Sequence, residues 1–270
     1  MILELISFLV SVGLTTWGSL SWWSVTSGLD FYKPIVMLIG FYIAGLAFWF
    51  GFIGLVGILF ERNPKKHNMG FTALFFVQQV IEAICFHGLC RVKVTGKDKL
   101  PKNERYLYVC NHISNFDPLV SYAYLKQQLG FITKPTNMTY PLARHFLPLV
   151  NFQPINRDDP LQSLEVMKHS IDLITNNVTS VAVYPEGTRH KDCVLGDFHE
   201  GVFTIATRSK CPIVVSTIKG TNLISKHMPF KPTKIVLDII DVIYPDAFEG
   251  KTVKAISDEV KNKISAHLAK

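Results

Sequence analysis

A chemical reading of this chain starts from His112 and Asp117. They stand in Asn111-His112-Ile113-Ser114-Asn115-Phe116-Asp117, directly after the apolar run Tyr106–Cys110. Histidine is the side chain whose ordinary pKa lets it accept a proton near neutral pH. A carboxylate on its other ring nitrogen fixes the tautomer and stabilises the imidazolium that forms. Five residues of continuous helix would set the two about 140° apart. A dyad therefore needs a bend between them, and Ser114-Asn115 supplies turn-prone residues. A structural reading competes: Asp117-Pro118 has the form of a helix N-cap followed by proline at the first helical position.

The second constellation is Tyr184-Pro185-Glu186-Gly187-Thr188-Arg189, after the apolar run Val181–Tyr184. Gly187 permits a tight turn and close approach of backbone to a ligand. Arg189 could fork onto a phosphate through two parallel hydrogen bonds. Glu186 could hold that arginine or bind a glycerol hydroxyl; the competing reading is a polar turn with a local ion pair. The chain has no G-x-S-x-G elbow, P-loop, G-x-G-x-x-G or H-E-x-x-H pattern. Its five cysteines are odd in number and lack C-x-x-C spacing, so neither a disulfide framework nor a zinc site is expected.

Both constellations need a scaffold. Strands are predicted at Arg91–Thr95, Tyr106–Cys110, Phe131–Thr133, Val181–Tyr184, Ile213–Ile218 and Ile235–Ile243, with helices near 118–128, 160–176, 200–209 and 252–268. Gly96, Pro101, Pro135, Pro185 and Gly220 punctuate them. Such alternation predicts an α/β domain with a substantial sheet over 91–270. Both constellations then follow strands, and the carboxyl ends of strands are where such sheets bind ligands.

The N-terminal part is different. Residues 5 to 23 carry no charge, with Trp17, Trp22 and Trp23 toward the end. The start Met1-Ile2-Leu3-Glu4 lacks the basic residues of a signal peptide. Residues 34 to 60 are uncharged, about 40 Å as a helix, enough to cross a hydrocarbon core. Residues 1–62 are therefore expected to form a two-helix membrane segment, spanning or re-entrant. Gly51, Gly54 and Gly57 could admit close packing against the first helix. Arg62, Lys65 and Lys66 outnumber the one lysine of the intervening link, which places the main domain on the cytoplasmic side. Within 63–90, Leu74, Val77, Ile81 and Ile84 recur at helical spacing, interrupted by Gln78, Gln79 and Glu82, as in an amphipathic helix that lies in the membrane interface, caps the core of the main domain, or does both. The formal net charge of +7 suits an anionic partner, yet no basic run is long enough for a nucleic-acid arm.

Taken together, the two constellations resemble those of the phospholipid and glycerol acyltransferases, especially the lysophosphatidic acid acyltransferases. That family carries N-H-x-x-x-x-D and, roughly seventy residues on, E-G-T-R; both stand here in full, and the likeness covers about residues 90 to 220. The resemblance implies a glycerol-phosphate acyltransferase-like mixed sheet flanked by helices. It implies His112 as general base oriented by Asp117, and Glu186, Gly187, Thr188 and Arg189 at the acceptor. It also implies Arg157, in Phe152-Gln153-Pro154-Ile155-Asn156-Arg157, and Lys134 as further substrate ligands. Cys211-Pro212-Ile213-Val214-Val215 resembles the block that lines the acyl and acceptor pocket. Backbone N–H groups near the start of the helix after Asp117 are the expected oxyanion donors.

The implied reaction moves an acyl chain from acyl-CoA or acyl carrier protein to the free hydroxyl of a 1-acylglycerol 3-phosphate, at a membrane, with no metal and no cofactor. The alternatives are another acceptor (glycerol 3-phosphate, another lysophospholipid or an ornithine lipid), a hydrolase using the same dyad on water, or a non-enzymatic lipid-binding module. The chain departs from the family pattern at Phe198-His199-Glu200-Gly201, where an acid replaces the usual lysine or threonine, and at Val215-Ser216-Thr217, where a proline is usual.

Overall fold

The computed structural model describes residues 2–21, 30, 32–61, 70–140, 144, 147–190 and 192–269, in two units, residues 1–63 and 64–270. Trp22, Trp23, Arg62, Lys65 and Lys66 lie outside the described residues.

The first unit is a pair of helices, α1 (Ile2–Ser21) and α2 (Tyr32–Glu61). Both are long and apolar enough to cross a membrane. The pair is built the opposite way from a water-soluble bundle. The buried face of α1 is Glu4, Ser7, Ser11, Thr15 and Gly18, whereas Leu5, Phe8, Leu9 and Val12 are exposed. Small and polar side chains inside with apolar ones outside is the arrangement hydrocarbon favours, because lipid offers no hydrophobic drive for helices to associate and close packing must supply it. A methyl group at Gly45 would lie 3.2 Å from Cβ of Ser7, and one at Gly18 would overlap the Met37 side chain. These two glycines, not the expected Gly51, mark the close approach: a methyl at Gly51 would meet nothing.

The second unit holds a seven-stranded sheet in the order β1-β7-β6-β2-β5-β3-β4. The strands are β1 (Cys90–Thr95), β2 (Leu107–Cys110), β3 (Leu129–Thr133), β4 (Gln153–Pro154), β5 (Ser180–Val183), β6 (Ile213–Lys219) and β7 (Thr233–Ile243). Neighbours from β6 to β4 are parallel; β7 runs antiparallel to β6, and β1 is parallel to β7. The sheet is thus mixed, as expected.

The central strands β2 and β5 are buried at every residue, as strands covered on both faces must be. On one face Tyr108, Cys110, Ala182 and Val214 join α3 (Gly70–His87) through Ile81 and Cys85, and α4 (Asp117–Leu125) through Val120 and Ala123. On the other, Leu107, Val109, Val181 and Val215 pack with α5 (Pro160–Thr175), α6 (Thr204–Ser209) and α9 (Val253–Leu268). The short helices α7 (Ile224–His227) and α8 (Pro245–Phe248) flank β7. All four predicted helical stretches form, with 200–203 wound as a 3-10 turn ahead of α6. The strand not anticipated is β4, two residues long and ending in proline.

Candidate active site

The parallel strands β2 and β5 deliver the two constellations to the same end of the sheet, since Leu107–Val109 pair in register with Val181–Val183. From there both chains turn out of the sheet. The turn after β2 is anchored by Asn111, whose side chain donates to the carbonyl of Ile218 at 3.1 Å and accepts from its N–H at 2.8 Å. This double bond across to β6 fixes where His112 begins.

His112 Nδ1 lies 2.8 Å from Asp117 Oδ2. The bend that the spacing required is made by residues 112–116, which are non-helical. Asp117 itself pulls it tight: the same Oδ2 accepts the N–H groups of Ile113 and Ser114, each at 2.7 Å. Its other oxygen accepts the hydroxyl of Thr221. The carboxylate is completely buried. The capping alternative is not what forms, because α4 has Phe116 at its N-cap and no side-chain cap bond; the Asp117 carboxylate folds back over the loop instead of forward over the helix. A buried carboxylate that already accepts three other donors, the N–H groups of Ile113 and Ser114 and the Thr221 hydroxyl, presents an acceptor to the ring, which favours the tautomer with the proton on Nδ1 and leaves Nε2 free to accept one.

The His112 ring lies flat against Tyr184, centroids 4.3 Å apart and planes 19° from parallel. Tyr184 in turn stacks on Phe131 at 5.8 Å. The imidazole is thus fixed by a carboxylate at its edge and an aromatic face beneath, which removes rotamer freedom the reacting group would otherwise have to lose.

Glu186 does something other than expected. It neither clamps Arg189 nor lines the cavity. Its side chain is buried, one oxygen accepting the backbone N–H of His112 at 2.6 Å and the other the N–H of Gly196 at 2.8 Å. His190 Nε2 stands 3.8 Å away, and the N–H of His190 donates to the His112 carbonyl at 2.9 Å. Glu186 therefore ties the two motif loops together through their backbones. Burial, partly offset by those N–H groups, pushes its carboxyl pKa up.

His112, Gly187, Thr188, Arg189, Arg157 and Lys134 all line one cavity of about 480 Å3, a size typical of small-molecule sites. Arg157, Lys134 and Arg189 are exposed side chains on its wall, and partial desolvation lowers the Arg157 pKa from its ordinary value. Gly187 adopts φ +67°, and a Cβ there would sit 2.6 Å from Nη1 of Arg157. The glycine lets the guanidinium lie against the backbone of the motif turn. The wall also carries apolar side chains, Leu119, Phe131, Leu147 and Phe152, beside the polar Asn115, Thr133 and Asn137.

Of the expected oxyanion donors at the start of the helix, the N–H of Val120 serves the Phe116 carbonyl, and the N–H groups of the preceding loop are also committed. The N–H groups of Ile113 and Ser114 serve Asp117, that of Phe116 serves Ser114 Oγ, and that of Asp117 serves the Ser114 carbonyl. Sequence reading also missed Asn111 as an anchor and Thr221 as a partner of Asp117. Thr221 follows Gly220, whose φ of +89° and tight approach to the Lys234 carbonyl admit no side chain; a glycine ending a strand is the signal that marks this turn.

Comparison with known proteins shows what the chain is similar to. Residues 91–219 match the family model described as Acyltransferase. A chloroplastic 1-acyl-sn-glycerol-3-phosphate acyltransferase of Brassica napus is 29% identical over 211 residues, 77% of this chain and 58% of the relative. A chloroplastic enzyme of the same name from Arabidopsis thaliana is 27% identical, with 77% of this chain matching 56% of the relative. The chain thus spans little more than half the length of these relatives. A putative 1-acyl-sn-glycerol-3-phosphate acyltransferase of Caenorhabditis elegans is 24% identical, over 86% of this chain and 88% of its own. The crystal structure of the 1-acyl-sn-glycerophosphate acyltransferase from Thermotoga maritima superposes with a TM-score of 0.60, covering 82% of this chain and 88% of that one at 20% identity, so the fold is shared.

Proposed function

From the match of residues 91–219 to the acyltransferase family model, we propose that this chain is a membrane-bound 1-acylglycerol-3-phosphate O-acyltransferase that forms phosphatidic acid. The observation that carries the reading is an imidazole whose Nδ1 is held by a buried carboxylate, set in the wall of a cavity that also carries three cations. His112 Nε2 takes the proton of the acceptor hydroxyl as its oxygen attacks the thioester carbonyl. The imidazolium is stabilised by Asp117. When the tetrahedral intermediate collapses, the C–S bond breaks and the departing thiolate of coenzyme A or acyl carrier protein takes the proton back from Nε2. The histidine ends as it began.

Arg189, Arg157 and Lys134 hold the acceptor phosphate, and planar guanidinium groups suit phosphate oxygens through paired hydrogen bonds. The apolar wall of Leu119, Phe131 and Phe152 receives acyl chain. The thioester is already activated, so neither metal nor cofactor is called for. The reading is supported at the substrate level by the names of the relatives, which act on 1-acylglycerol 3-phosphate. The inverted packing of α1 and α2 supports residence in a membrane, where a lyso-lipid and its diacyl product both partition, and the basic residues after the second apolar segment support a catalytic domain on its cytoplasmic face.

The test uses the purified full chain in detergent with labelled acyl donors and a panel of lyso-lipids, products identified by mass spectrometry. His112→Ala should lower the rate by about 10² to 10⁴. Wild-type-like thioester consumption by that variant would overturn the mechanism. Thioester loss without acceptor would identify a hydrolase instead.

A further inference from the structure

Away from the cavity, one edge of the sheet combines features that water-facing surfaces avoid. β7 runs antiparallel to β6, with Val236 opposite Lys219 and Ile243 opposite Ile213. The start of β7 therefore lies at the end of the sheet where β6 finishes, the end that carries His112. β1 begins there too, with Cys90 opposite Thr233. Around this corner Phe86, Leu89 and Phe230 are exposed, and Phe230 is 91% exposed. The turn presenting Phe230 is ordered by its own backbone: the N–H groups of Phe230 and Lys231 both donate to the His227 carbonyl, and that of Thr233 to Leu89.

The same corner is strongly basic. Residues 86–93 and 224–234 contain Arg91, Lys93, Lys226, Lys231 and Lys234 and no acid, and all five side chains are exposed. Arg91 and Lys234 are direct partners on adjacent strands. Like charges placed so repel, which gains a purpose when an anionic surface covers them. The nearest acids on the packed elements are Glu82, one turn before Phe86 on α3, and Asp238, further along β7 and engaged by Thr95 and His267.

We propose that this corner, with Phe230 at its tip, is a membrane-contact surface that docks onto a leaflet containing anionic phospholipid. Exposed aromatic and aliphatic side chains enter the headgroup boundary while surrounding cations pair with lipid phosphates. The sheet register puts the contact at the same end as the catalytic cavity, so docking presents the cavity to the lipid plane. A soluble acidic partner would explain the charge but not a bare phenylalanine at the tip of a rigid turn in a chain that also carries two helices with apolar outer faces. The contact does not depend on the acyl-transfer reading.

The test reconstitutes the full chain, Cys193→Ser with Phe230→Cys carrying an environment-sensitive fluorophore, in vesicles of phosphatidylcholine alone or with phosphatidylglycerol. Cys193→Ser alone is the labelling blank, and Lys102→Cys, before β2 at the opposite end of the sheet, is the position control. A blue-shifted, brighter signal at position 230 only, dependent on phosphatidylglycerol, is expected. Each surface cation contributes about fivefold to partition onto an anionic leaflet, so K226Q/K231Q/K234Q should weaken docking roughly a hundredfold, while leaving detergent activity unchanged. Identical signals from the two vesicle compositions, or from positions 230 and 102, would overturn the proposal. Loss of acyl transfer with the fluorescence response intact would sink the enzymatic reading and leave this one standing.

Discussion

Thr221 donates its hydroxyl to Asp117, 104 residues earlier in the chain, and through that carboxylate it steadies His112. The bond crosses from the end of β6 to the start of α4, so the geometry of the dyad depends on the sheet being assembled. Hydrogen bonds to charged groups are worth about 1.5–3 kcal/mol. Thr221→Val should therefore lower kcat by roughly 10- to 100-fold with little change in KM, and Thr221→Ser should restore most of it. Steady-state kinetics of the three proteins check this; equal kcat values would show that Asp117 needs no such support.

Asp117→Asn separates orientation from charge. The amide can still accept from the loop N–H groups but cannot stabilise an imidazolium, and it favours the wrong tautomer of His112. Its kcat should fall nearly as far as that of His112→Ala, while its thermal stability drops less than that of Asp117→Ala, which leaves the N–H groups of Ile113 and Ser114 unpartnered in a buried loop. Calorimetry and kinetics on the same preparations measure both.

The contrast between two Asp-Pro pairs shows what could and could not be read from the chain. Asp159-Pro160 caps α5 in the ordinary way, its carboxylate accepting from Leu161 and Gln162 at 3.0 and 3.1 Å. Asp117-Pro118 has the same local form, yet its carboxylate turns back to His112. Local spacing admits both; what decides is tertiary, namely Thr221 above and complete burial. The same limit hid the role of Glu186, since a carboxylate that accepts two backbone N–H groups leaves no periodic signature. Strands such as β2, β5 and β6 were legible because burial on both faces demands a continuous apolar run. β4 was not, because Gln153-Pro154 is too short for a pattern. Sheet order and the reversal of β7 come from packing and carry no local signal.

Gly187→Ala should act through its neighbour. The left-handed φ of +67° strains any side chain there, and the new methyl would lie within 2.6 Å of Arg157 Nη1. Arg157 must move, so KM for a phosphorylated acceptor should rise by about tenfold, the scale of one charge-assisted hydrogen bond. Arg189→Ala should do the same without the backbone strain, and its KM for an acyl donor should change less. If KM for acceptor stays unaltered in both variants, the cations are not the phosphate clamp.

Glu186 should leave its mark on stability as a function of pH. Its carboxyl pKa is raised above the ordinary 4.5, burial being the larger cause and the N–H groups of Gly196 and His112 opposing it. A raised folded-state pKa means the folded chain holds the proton more tightly than the unfolded one. The stability this gives is fully present below 4.5 and is lost as pH rises through the higher folded value. Once ionised, the carboxylate is kept in place by its two N–H donors, with His190 Nε2 3.8 Å away. Glu186→Gln removes the titration, so the difference in unfolding free energy between wild type and variant should change over that pH interval and be level above it. The amide also offers one acceptor where two N–H groups need one each, so the loop at Gly196 or the start of the His112 loop must loosen. Denaturant melts from pH 4 to 8 follow the first effect, and amide exchange at His112 and Gly196 follows the second. A pH-independent difference together with unchanged exchange would mean that Glu186 does not join the two loops.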